Sequence, residues 1–84
     1  MDSYAQELKE AKKIIKKQEP WKAVPILNKL VTDSASTVKG EAYFQLAIAK
    51  SRITKDYSPC NDFGKAKMLG YLIEAEVLKQ YNCN

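Results

Sequence analysis

From Glu41 to Ile53 the chain reads EAYFQLAIAKSRI, and its apolar positions keep the step of an α-helix. Tyr43, Leu46, Ala47, Lys50 and Ile53 recur every three or four residues, which puts them on one helical face. Phe44 and Ile48 make a second apolar pair, offset from Tyr43 and Ala47 by the roughly 100° of a single residue. A helix that is apolar on two sides needs neighbours on both. This segment is therefore expected at the centre of the fold.

The flanking segments supply those neighbours. Ser3-Tyr4-Ala5-Gln6 has the form of a capping box, so a first helix is expected from about Tyr4 to about Gln18. Tyr4, Leu8, Ala11 and Ile15, with Ile14 beside them, form its apolar face, and Lys9, Lys12, Lys13, Lys16 and Lys17 the other. Pro20 or Trp21 opens a second helix that runs to Thr32 and should bury Trp21, Val24, Leu27, Leu30 and Val31. Pro25 predicts a local irregularity in it. Asp33 to Thr37 is a turn, and the central helix follows from Thr37 or Val38 to about Thr54, with Gly40 weakening its first turn.

Residues 55–61 read as a loop, and Asp62 as the N-cap of a fourth helix ending near Gln80. Its main face would be Phe63, Ala66, Leu69, Gly70, Ile73 and Val77. Met68, Tyr71, Leu72 and Ala75 would form a second stripe, and residues 81–84 a frayed tail. The fold class expected is all-α: four antiparallel helices in one domain over residues 1–84.

At 45% apolar and 29% charged residues the chain is globular in composition, and no run reaches the roughly 18 apolar residues of a membrane span. MDSYAQELKE is acidic and polar where a signal peptide is basic and then apolar, so a cytoplasmic location is expected. Cys60 and Cys83 would lie at opposite ends of the fourth helix, about 28 Å apart, and should be free and reduced. Histidine is absent, which removes the commonest acid–base residue and leaves two distant thiols as poor metal ligands. Glu74 and Glu76 diverge on a helix, Cys60 has no adjacent base, and the three glycines are isolated. No enzyme activity, cofactor or metal is expected.

An internal repeat is also legible. Aligning Ala11 with Ala47 sets Leu8 on Phe44, and Trp21-Lys22-Ala23 echoes Gly64-Lys65-Ala66, the second unit being longer by the 55–61 loop. Small residues at Ala11, Ala23, Ala47 and Ala66 would let helix backbones approach closely. With Tyr43, Leu46 and Ala47 in one helix and Asp62-Phe63-Gly64-Lys65-Ala66 opening the next, the chain resembles the tetratricopeptide repeat, and its longer loop looks like the related Sel-type repeat. Glu7 stands where that pattern has its tryptophan-like aromatic.

The resemblance implies two helix–turn–helix hairpins, about 4–32 and 37–80, and a non-catalytic binder or adaptor with a protein partner. Its concave surface would carry Leu8, Lys12, Ile15 and Lys16 from the first helix and Phe44, Ile48, Ser51 and Arg52 from the third. The partner-binding set would be Leu8, Lys12, Lys16, Phe44, Ile48 and Arg52. An apolar floor with a basic rim suits an acidic or amphipathic peptide. The carboxylate clamp of the family is disfavoured, because Leu8 stands where one of its lysines belongs.

Such repeats also need their last face covered. Met68, Tyr71, Leu72 and Ala75 would therefore be a homo-oligomer or partner interface, unless helix 3 or the loop covers Tyr71 and Leu72. The net charge of +4 and the run of lysines raise nucleic-acid binding as the alternative, although Glu7, Glu10 and Glu19 interrupt the run.

Overall fold

The computed structural model describes residues 3–83 and is all-helical among them. Helix α1 spans Ser3–Lys16, α2 Pro20–Thr32, α3 Lys39–Ile53, α4 Cys60–Met68 and α5 Ala75–Gln80. Extensive packing joins α1 to α2, α2 to α3 and α3 to α4, so each of these four helices lies mainly against its neighbours in sequence. None of these helices is long and apolar enough to cross a membrane.

Helix α1 buries Leu8, Ala11 and Ile15, with Tyr4 and Ile14 half-buried beside them, as its periodicity predicts. What precedes Ser3 lies outside the described residues. The helix ends in a Schellman turn: Gln18 takes φ 68°, its N–H donates to Ile15 and that of Glu19 to Ile14. The Tyr4 hydroxyl donates to Asp33 Oδ2 at 3.0 Å, and Lys29 pairs with Glu7 at 2.9 Å, which ties the start of α1 to the end of α2. Asp33 Oδ1 also accepts the Ala35 N–H at 3.0 Å, closing the turn between α2 and α3. These two bonds, the backbone one first, hold the Asp33 carboxyl below its usual range.

The core joins Leu8, Ala11 and Ile15 to Ala23, Leu27 and Leu30 of α2 and to Ala42, Leu46 and Ala49 of α3. Ala11, Ala23, Ala47 and Ala66 are all fully buried, so the small positions do lie where backbones approach. Helix α3 is contacted on both sides, by α2 and by α4, as its two apolar stripes require. On the α4 side Phe63 is 1% exposed and meets the Phe44 ring at 5.5 Å.

Three groups of expectations are overturned. The fourth helix does not run to Gln80. It stops at Met68 because Gly70 takes φ 89° and forms a second Schellman turn, with Gly70 N–H on Lys67 and Tyr71 N–H on Ala66. Residues 71–74 are then non-helical, and α5 follows as a short separate helix. Asp62 is not the N-cap either; Pro59 holds that position and Asp62 lies buried in the first turn.

The second correction follows from the first. With the helix broken, the tail returns to the start of α4, and Cys60 and Cys83 form a disulfide with Cα atoms 5.2 Å apart. The distance of about 28 Å held only for an unbroken helix. Nor is the tail frayed through residue 83: Tyr81 lies edge-on to Phe63 at 5.5 Å. Asn84 is outside the described residues.

The third correction concerns the ends of α2 and α3. Trp21 is 57% exposed and Ile53 46% exposed, although helical periodicity sets both on core-facing stripes. They lie at the start of α2 and the end of α3, and among the described residues no further helix covers them.

Candidate functional site

Trp21 and Val24 at the start of α2 face Lys50, Ile53 and Thr54 at the end of α3, with Tyr57 of the following loop closing one side. Together they line an apolar cleft of about 410 Å³, within the size range of ligand sites. A second hollow of about 470 Å³, lined by Gln18, Pro20 and Arg52, shares Trp21 and Ile53 with it. The two flank one exposed apolar ridge.

A small polar cluster fixes the Tyr57 wall. The Tyr57 hydroxyl donates to Asp62 Oδ2 in a short hydrogen bond, and Lys50 Nζ lies 3.9 Å from the same oxygen. Lys50 also sits over the Tyr57 ring, 5.4 Å from its centroid. Burial and then the bond to Asp62 raise the Tyr57 pKa far above its ordinary value of 10.0. The raised folded-state value has a definite sign: the stability it contributes is fully present below pH 10 and declines as pH rises toward the folded pKa. Thermal melting between pH 9 and pH 11.5 should therefore show a steeper decline in the native protein than in Tyr57→Phe, where Tyr4, Tyr71, Lys12 and Lys29 still titrate; equal declines would detach Tyr57 from the cluster.

The cations that line the two hollows are Lys50 and Arg52, and Arg52 also donates to the Ile15 carbonyl at 3.5 Å. A cationic rim around an apolar floor favours an occupant of opposite charge and amphipathic shape.

The surface expected between the first and third helices is built differently. Leu8 is buried in the core at 5% exposure and cannot contact a partner, which removes it from the binding set. Lys12 is paired with Glu41 at 2.8 Å, an interaction that raises the lysine pKa. Phe44 lies between Phe63 and Tyr71, with ring centroids 5.5 and 5.1 Å away, and Ile48 packs against the core. Lys16 remains exposed, and Arg52 belongs to the rim of the Trp21 hollows. The sequence set is thus divided between a self-satisfied face and the edge of another site.

The four interface residues do not share a helical stripe, because the chain turns at Gly70. Tyr71 folds back onto Phe44, and Gly40 makes room for it: a Cβ at Gly40 would meet the Tyr71 Cβ at 3.2 Å. Leu72 and Met68 stand 92% and 88% exposed, and Ala75 is also exposed. Trp21, Ile53 and Tyr57 line the cleft and were not among the binding residues expected from the sequence. The only signal for them was their position at helix ends and in the loop. Comparison with protein-family models, curated proteins and solved structures finds no match.

Proposed function

We propose that the protein is a non-catalytic binding module that receives an acidic, amphipathic peptide segment of a partner protein at the Trp21–Ile53 cleft. The observation that carries this reading is a solvent-exposed tryptophan beside an exposed isoleucine, flanked by hollows and rimmed by Lys50 and Arg52. Tryptophan and arginine are the residues that most often anchor interfaces, and an apolar side chain in the cleft with carboxylates beside it would satisfy both features. The serial packing of α1 to α4 and the four buried alanines support a two-hairpin arrangement of tetratricopeptide type as the scaffold.

Trp21 is the single tryptophan, so its fluorescence reports on the cleft directly. Titrating the protein with a designed acidic amphipathic helix should shift the emission to the blue, with an affinity that weakens as salt increases. A basic helix with the same apolar face should bind at least about tenfold less tightly. Ile53→Asp should abolish the preference for the acidic helix. Equal responses to the two helices would reject the reading.

A further inference from the structure

We propose that the C-terminal segment 75–83 is a redox-releasable cover over Phe63, held closed by the Cys60–Cys83 disulfide. Helix α5 buries no residue, and the extensive helix packing is confined to α1–α4. Its packing is thinner than that of α1–α4, with only Val77 and Leu78 half-buried. The specific attachments that tie it to α4 are the Tyr81 ring against Phe63, at 5.5 Å, and the bridge from Cys83 to the first residue of α4. The residue beneath is the most enclosed aromatic ring of the fold, at 1% exposure.

The bridge can be reached. A surface hollow of about 550 Å³ is lined by Cys60 itself and by Asn61, Gly64, Lys65, Lys67 and Met68. Lys65 and Lys67 line the same hollow and favour an approaching thiolate. The co-reactant is a dithiol. Its thiolate attacks the Cys60 sulfur, the Cys60–Cys83 bond breaks, and Cys83 departs as a thiolate that takes up a proton. The second thiol of the reductant then attacks the mixed disulfide, frees the Cys60 thiol and leaves the reductant as its own disulfide. Two electrons and two protons pass to the protein. The segment loses its covalent anchor, Tyr81 leaves Phe63, and an aromatic surface continuous with Phe44 is uncovered.

Hydrogen exchange on the full chain, with and without dithiothreitol, tests this. Reduction should speed exchange at residues 75–83 by about 100-fold while amides of α1–α3 keep their protection, and should raise the fluorescence of an added apolar dye. Cys83→Ser should show the open pattern without reductant and no further response to it. Unchanged protection at 75–83 after reduction would overturn the proposal. So would loss of protection across α1–α3 at the same step, which would make the bridge a staple of the whole fold. A mass showing free thiols, or a bridge between two chains, in the oxidised protein would also overturn it.

Discussion

Phe63→Ala is expected to cost about 3–5 kcal/mol of folding stability, a large share of what an 84-residue domain possesses. Phe63 is almost wholly enclosed, and it is the shared partner of Phe44 on one side and Tyr81 on the other. Truncation removes both ring contacts and leaves a void between α3 and α4. The surrounding helices cannot close that void readily, because Ala47 and Ala66 already hold the backbones at close approach. The midpoint of thermal unfolding should fall by on the order of 15–30 °C by calorimetry. A loss below about 1.5 kcal/mol would show that the site collapses around the missing ring. Phe44→Ala should cost less, since Phe44 is only half-buried.

Trp21→Ala is expected to do the reverse: little to stability and much to binding. A side chain more than half exposed gives up about 1 kcal/mol or less on truncation, against the 3–5 kcal/mol of a buried tryptophan. Affinity for an acidic amphipathic helix should fall about 30-fold, near 2 kcal/mol, measured by titration calorimetry because the fluorophore is gone. A variant that loses several kcal/mol of stability and binds as before would return Trp21 to the core and remove the cleft.

Both predictions turn on what periodicity can convey. The spacing of Leu8, Ala11 and Ile15, or of Leu27 and Leu30, points each side chain toward a neighbouring helix, and there it is buried. The same rule points Trp21 and Ile53 in the right direction. It carries no information about whether a neighbour is present at that height, and among the described residues no further helix is present at the start of α2 and the end of α3. The Gly70 break was hidden for a related reason. A glycine on the apolar face reads equally as a small packing residue or as the residue after a helix end, and only its left-handed conformation decides. The disulfide depended on that one residue, since the reach from Cys60 to Cys83 is long through a continuous helix and short through a turn. The cleft was illegible because its walls come from α2, α3 and a loop, whose meeting is tertiary.

Helices that lie against their neighbours in sequence also set an order of assembly. Contacts between adjacent segments close small loops, and helical proteins of this kind fold within microseconds to milliseconds. The residues of the core shared by α1, α2 and α3 have all been added by Ile53, about thirty residues before Cys83. At ribosomal speeds of roughly 5–20 residues per second, that interval lasts some seconds. Cys83 is therefore added only after every residue of that core, so its sulfur can reach Cys60 by docking onto a body able to fold ahead of it.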